Sequence, residues 1–386
     1  MKKATRFLGL DVHADTIAAA IADDGRDGEV RSLGVIANEP GAVRRLIQKL
    51  GKERLRACYE AGPTGYTLYW QLTSLGVECE VIAPTLVPRK AGDKVKTDRR
   101  DALKLARCLR AGELTKVWVP DPAHEALRDL VRAREAAKAD QHRARQRLSK
   151  FLLRVGRRPP KSKSGKTTWG ATQMAWVRSQ TFDHAAQQAT MVDYLAEVDH
   201  ASERILRLER AIDDAVAVAA PTLRAVIDGL QALRGIAKLT ATTLAVEVGC
   251  FSRFRLAKQL MAYCGSVPSE YSSGNSQKRG AITKTGNAHV RRVVGESAWC
   301  CRYRPSLSPA LRKRQRDANV SEAVKEIALK AQHRLYKRYV AMSARGKPSQ
   351  KVIGALAREL LGFIWAVAVQ VEREQQHIST SKQLAA

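Results

Sequence analysis

Four acidic side chains stand where chain elements begin or end. Asp11 closes a short apolar run in Gly9-Leu10-Asp11-Val12-His13, and Glu60 follows the apolar run Leu55 to Tyr59 in Cys58-Tyr59-Glu60-Ala61-Gly62. Asp98 and Asp101 lie three residues apart in Lys96-Thr97-Asp98-Arg99-Arg100-Asp101-Ala102, at the start of a helical stretch. That spacing puts both carboxylates on one helix face. If this helix start packs beside the two strand ends, four like charges converge, and their repulsion is costly without cations. Mg2+, a hard ion that favours oxygen ligands, relieves it. Two such ions ~3.5–4 Å apart can stabilise both the attacking and the leaving oxygen of a phosphate displacement. Each acid also has an ordinary structural alternative: Asp11 as a turn residue, Glu60 as a surface charge, Asp98 as a helix cap with Asp101 in a capping box. Their joint placement is what points to chemistry.

A second constellation is Gly265-Ser266-Val267-Pro268-Ser269-Glu270-Tyr271-Ser272-Ser273-Gly274, followed by Lys278-Arg279-Gly280-Ala281-Ile282-Thr283-Lys284-Thr285-Gly286-Asn287 and then His289, Arg291 and Arg292. A serine hydroxyl is a weak nucleophile until a base or metal activates it. Lys284, Arg291 and Arg292 are candidates to hold a phosphate beside it. From composition alone the segment is an ordinary Ser-rich surface loop.

The elements that must position these residues follow from periodicity. Residues 1–121 are expected to form an α/β domain. Its strands lie at Phe7–Leu10, Thr16–Ala22, Val30–Ala37, Leu55–Tyr59 and Val77–Ala83, with helices after Ala42, over Thr64–Leu75 and from Asp98 to Ala111. Strands in succession and then alternating with helices predict a mixed sheet covered by helices. Residues 122–219 carry two heptad-like runs. One is Leu127, Leu130, Arg134, Ala137, Gln141, Ala144, Leu148 and Phe151; the other is Leu195, Val198, Ser202, Ile205, Glu209, Ile212 and Val216. Joined by the basic stretch Arg157 to Thr168, they predict a coiled-coil hairpin or oligomerisation arm, or else two helices packed on their own domain. Residues 220–345 are mostly helical, with Ser266 to Gly286 as a loop, and residues 346–386 form a C-terminal helix whose tail after Gln375 is expected to be disordered.

The charge narrows the partners. Lys plus Arg number 67 against 38 Asp plus Glu, a net +29, which calls for an anionic partner, nucleic acid first and a membrane surface second. Val352 to Val371, the best spanning candidate, carries Arg358 and Glu359 and suits a buried helix better. The seven cysteines form no Cys-x-x-Cys pair and the eight histidines show no ligand spacing, so a disulfide framework and a zinc site are not expected; a reducing cytoplasm is.

Gly-Leu-Asp-Val-His, Tyr-Glu-Ala-Gly-Pro-Thr-Gly-Tyr and Lys-Thr-Asp-Arg-Arg-Asp-Ala resemble the DEDD motifs of one family of bacterial insertion-sequence transposases. It is the family numbered one hundred and ten, related to the Piv DNA invertases. Ala14 stands where many members have Lys, which touches no proposed ligand. The resemblance implies a RuvC-like, RNase H-type first domain and a metal-binding tetrad of Asp11, Glu60, Asp98 and Asp101. It extends to Leu230 through Arg292, which resembles the family's C-terminal transposase domain. The Ser-Gly motif there implies Ser273 as the nucleophile that forms a phosphoserine link to DNA, with Ser272 adjacent. The resemblance further implies two site halves from different protomers of a dimer or tetramer, and a bridge RNA that pairs with donor and target DNA. Gly235-Ile236 resembles a helix–hairpin–helix, although Ala237 replaces the usual second glycine, so a tight packing turn stands beside a phosphate site. Two rivals remain: a resolvase-like nuclease that uses metal-activated water, and a nucleic-acid binder without catalysis.

Overall fold

The computed structural model describes residues 5–88, 92, 96–160, 169–274 and 276–384. The chain divides into two compact units, Met1–Val119 and Pro120–Ala386.

In the first unit, strands β1 (Arg6–Val12), β2 (Thr16–Asp23), β3 (Val30–Ala37), β4 (Leu55–Glu60) and β5 (Glu78–Ile82) form a sheet of order β3-β2-β1-β4-β5. The β1–β2 and β2–β3 pairs are antiparallel, and β1–β4 and β4–β5 are parallel. Among the described residues, the α-helices α1 (Pro40–Leu50), α2 (Thr67–Ser74) and α3 (Asp98–Ala111) accompany it. Side chains alternate between sheet faces. Leu8, Leu10, Ala57 and Tyr59 pack with Val43 and Ile47 of α1 and Leu68 and Leu72 of α2. Phe7, Cys58 and the small side chains Ala18, Ala20 and Ala22 face Ala102, Leu105, Ala106 and Leu109 of α3. Gly9 lies under α3 itself: a Cβ there would stand 2.4 Å from the Ala102 carbonyl oxygen and 2.4 Å from the Ala106 nitrogen. The helix rests on the strand because the strand has no side chain at that point.

The second unit contains α4 (Pro122–Arg154), α5 (Ala171–Arg178), α6 (Ala185–Ala217), α7 (Pro221–Leu230), α8 (Lys238–Val248), α9 (Ala257–Tyr263), the strands β6 (Pro268–Ser273) and β7 (Ser276–Ile282), and α10 (Ala288–Ala298), α11 (Pro309–Asp317), α12 (Glu322–Ala344) and α13 (Ser349–Leu384). Helices α4 and α6 pair antiparallel, and the polar interruptions of their two periodic runs meet. Arg134 bonds Glu209 at 2.6 Å and the Gln141 amide donates to the Ser202 hydroxyl at 2.9 Å, while outside the two runs the exposed Arg147 bonds Glu197 at 2.7 Å. Matching polar partners along the seam fix a register that apolar residues alone leave free to slide. The roots of this pair, with Leu127, Val131, Ile212 and Val216, join the large core of the unit. Farther along, Ala144, Leu148, Phe151 and Val198 form a separate cluster that includes Val177 of α5. Residues 161–168 of the basic connection lie outside the described residues.

Helix α13 is long and apolar enough to cross a bilayer, with a mean hydropathy of 1.8. Its side chains Val352, Leu356, Leu360, Leu361, Ile364 and Val367 are instead buried in the core of the unit. Two expectations need correction. The helix continues to Leu384, where a disordered tail was expected after Gln375. The segment expected as a loop at Ser266–Gly286 is largely the antiparallel hairpin β6–β7, in which Ser273 pairs with Ser276. Nearly every hairpin residue is exposed, so neither strand face carries the apolar alternation that marks a strand in sequence.

Candidate active site

Asp11 and Glu60 reach one place because of register and parity. The parallel strands β1 and β4 are aligned with Leu10 opposite Tyr59, so Asp11 and Glu60 each follow by one residue at neighbouring strand ends. Both share the sheet face of Gly9 and Cys58, the face that α3 covers. On α3 the buried stripe Ala102, Leu105, Ala106 and Leu109 continues toward the N-terminus as Asp98 and Asp101. Seating the helix therefore carries its two acids to the strand ends, and the helix N-terminus favours negative charge there. Capping is done by Thr97, whose hydroxyl accepts from the Arg100 N–H at 3.3 Å, so neither Asp98 nor Asp101 is used as the cap.

The four acids share one field. Burial pushes Asp11 above the ordinary aspartate range, His13 pulls it down, and the Asp101 and Asp98 charges push it up further. Burial likewise raises Glu60, with Asp101 and Asp11 adding to the effect while Lys96 and Lys104 oppose it. His13, not singled out from the sequence, belongs to the cluster. Its Nε2 lies 3.3 Å from Asp11 Oδ2 and 3.5 Å from Asp98 Oδ1, and one donor atom from each of the three lies within 4.8 Å of the others. The signal that could have found it is the Asp-x-His spacing at a strand end, where side chains two apart share a face. Carboxylate oxygens with one imidazole, and ionised forms of Asp11 and Glu60 disfavoured by burial and then by neighbouring acids, suit a hard divalent cation.

The serine segment lies in the second unit. Ser273 sits at the end of β6 beside the turn residue Gly274, whose φ is +55°. The neighbouring Ser272 hydroxyl donates to Glu270 Oε1 at 2.8 Å, whereas among the described residues no partner engages the Ser273 hydroxyl. Of the three candidate phosphate-binding cations, Lys284 is exposed. Arg291 donates to the Cys264 carbonyl at 2.8 Å, and Arg292 is held by Glu135 at 2.9 Å and Glu296 at 3.0 Å. The sequence cannot foresee that Glu135, 157 residues away, neutralises Arg292. Gly235 has φ +84°, and a Cβ on it would stand 2.5 Å from Cys300 Sγ, so this turn is packed tightly against the unit's own core.

Behind the hairpin, Glu247 is buried at 1% exposure and takes bonds from Arg132 Nε at 2.7 Å, Arg132 Nη2 at 2.9 Å and Asn287 Nδ2 at 2.8 Å. Burial by itself would raise its pKa, but the Arg132 and Asn287 bonds outweigh burial and hold the carboxyl below its ordinary value. A depressed acid contributes stability above its unfolded pKa and loses it as pH falls through the folded value. We therefore expect Glu247→Gln to lower the thermal midpoint at pH 7, with the gap to wild type shrinking once pH drops below about 4.3. A gap independent of pH would refute the ionised state.

Residues 8–156 match the IS110-type DEDD transposase family, and residues 228–314 match the IS116/IS110/IS902 transposase family. The Sinorhizobium fredii protein y4qE, which carries a transposase name, is 46% identical over 366 residues, covering 94% of this chain and 88% of the relative. The transposase for insertion sequence element IS1533 of Leptospira borgpetersenii is 31% identical over 345 residues, covering 88% and 97%.

Proposed function

The chain belongs to the IS110 family of DEDD transposases and is a DNA-acting enzyme, and we propose that it excises and inserts an insertion sequence by attack of Ser273 on a DNA phosphate. What supports this reading is that donor atoms of Asp11, His13 and Asp98 lie within 4.8 Å of one another and that the charges of Asp101 and Asp11 both act on Glu60. The four acids, with His13 beside them, would hold Mg2+, in our reading as two ions. Bound there, the metal would neutralise charge on the scissile phosphate and favour the ionised serine oxygen.

The protein's own groups do the rest. Ser273 Oγ gives up its proton and forms an O–P bond while the bond to one sugar oxygen breaks, and that oxygen takes up a proton as a free hydroxyl. The phosphoserine bond conserves the phosphodiester energy, so the reverse attack by a sugar hydroxyl rejoins DNA without another energy source. The engagement of Ser272 with Glu270 favours Ser273 as the attacking group. Lys284, in no ion pair among the described residues, is the remaining candidate for a phosphate contact, and Arg291 and Arg292 contribute only if their protein partners release them.

We read the first unit as RuvC-like and RNase H-type, supported by its sheet order, and the α4–α6 pair as a coiled-coil arm for a dimer or tetramer, supported by its matched polar seam. The net charge of +29 suits duplex DNA together with a bridge RNA, acting in the bacterial cytoplasm. Sequencing RNA that co-purifies with the protein tests for that guide. On suicide DNA substrates, Ser273→Ala is expected to abolish the covalent protein–DNA adduct while DNA binding persists. Undiminished cleavage by the variant would instead establish water as the nucleophile.

A further inference from the structure

We propose that Arg132, Glu247 and Asn287 form a clamp through which helix α4 sets the position of the serine hairpin, making Glu247 a positioning residue for the reaction at Ser273. The proposal rests on the reading of Ser273 as nucleophile.

The hairpin cannot position itself. From Ser269 to Ser273 every described residue is exposed, so no core packing fixes its direction, which must be set at its root. That root is closed by backbone bonds from Thr283 N–H to Val267 O at 2.9 Å, Lys284 N–H to Gly265 O at 3.0 Å and Asn287 N–H to Tyr263 O at 3.1 Å. Both of its ends converge on Glu247. The Tyr263 hydroxyl, entering the hairpin, donates to the Glu247 carbonyl at 3.2 Å, and the Asn287 amide, leaving it, donates to the Glu247 carboxylate at 2.8 Å. Asn287 also caps α10 through the Val290 N–H at 2.9 Å.

The other side of Glu247 is held by α4, whose Arg132 spans both carboxylate oxygens. Three residues on, and on the same face of α4, Glu135 accepts from His289 Nδ1 at 2.7 Å and Arg292 Nε at 2.9 Å. One face of α4 thus grips the hairpin root through α8 and the start of α10 through its own carboxylate. Helix α4 has 33 residues and so runs for about 50 Å. Whatever orients its far end is coupled mechanically to Ser273.

An ion pair that only stabilises the fold would have different consequences. The test uses the full-length protein with Arg132→Ala, Arg132→Lys and Glu247→Gln. Arg132 is 43% exposed, so its replacement leaves no sealed cavity even if Glu247→Gln fails to fold. In Arg132→Ala we expect the rate of Ser273–DNA adduct formation to fall roughly 10- to 100-fold, as misplacement of a reacting group by about 1 Å does. DNA affinity should stay within about twofold. Hydrogen exchange at the Lys284 and Asn287 amides should accelerate well below the thermal midpoint. Arg132→Lys, which cannot make the two-pronged bond, should restore the rate only in part. Wild-type adduct rate and wild-type exchange at those amides, accompanied by nothing more than a lower midpoint, would overturn the clamp. A wild-type protein that forms no adduct at Ser273 would sink the nucleophile instead, and the exchange measurement would still decide whether α4 holds the hairpin.

Discussion

Replacing Asp11 with asparagine is expected to abolish transposition while leaving the fold and the binding of DNA intact. Asp11 lies at the centre of the acid cluster, within reach of His13 and in the field of Asp98 and Asp101. Losing one charged group from a site that stabilises a reacting phosphate costs on the order of 10^2- to 10^3-fold or more in rate. The fold should not suffer. The folded state holds Asp11 above its ordinary pKa, so its ionised form destabilises the protein at neutral pH and a neutral isostere removes that cost. The apo variant should therefore melt at the wild-type temperature or above it. Added Mg2+ should raise the wild-type midpoint, because a ligand bound only by the folded state stabilises it, and raise that of the variant much less. An active Asp11→Asn protein, or one that melts far below wild type, would contradict the role assigned to this carboxylate.

Gly9→Ala is expected to disable the same site by a different route. The added methyl carbon would lie 2.4 Å from backbone atoms of α3 at Ala102 and Ala106, and backbone cannot swing aside as a long side chain does. The helix must lift from the strand, disturbing the packing of Leu105, Ala106 and Leu109. Overpacking of this kind costs about 1–3 kcal/mol, and the directness of the contact places Gly9 at about 3 kcal/mol. The same displacement draws Asp98 and Asp101 away from Asp11 and Glu60. Activity should fall along with the thermal midpoint, whereas Asp11→Asn loses activity alone. A Gly9→Ala protein of wild-type stability would mean that α3 does not rest on β1 as described.

How much of the site could be read from the chain depends on how local its determinants are. Asp11, Glu60, Asp98 and Asp101 were recognisable because each sits at the end of a short-range pattern, a strand finishing or a helix starting. The hairpin carrying Ser273 was not recognisable as strands, since both of its faces meet solvent and neither strand shows apolar alternation. The antiparallel pairing of α4 with α6 lay between these cases. Both periodic runs were visible, with their polar gaps at Arg134, Gln141, Ser202 and Glu209, but the meeting of each gap with its partner emerged only in three dimensions.

Charge is additive, and strands and helices register in periods of two and 3.6 residues, so the large positive charge, the elements of the first unit and the four acids at their ends were legible in the chain alone. That His13 joins the acids, that Arg291 and Arg292 are already engaged, and that Glu247 ties the hairpin root to α4 emerged from packing in three dimensions. Those outcomes depend on which groups meet across more than a hundred residues of chain, or on the direction a side chain takes once its neighbours are packed. For the arginines and Glu247, spacing along the backbone carries no record of such meetings; for His13 it offers only the Asp-x-His pattern at a strand end.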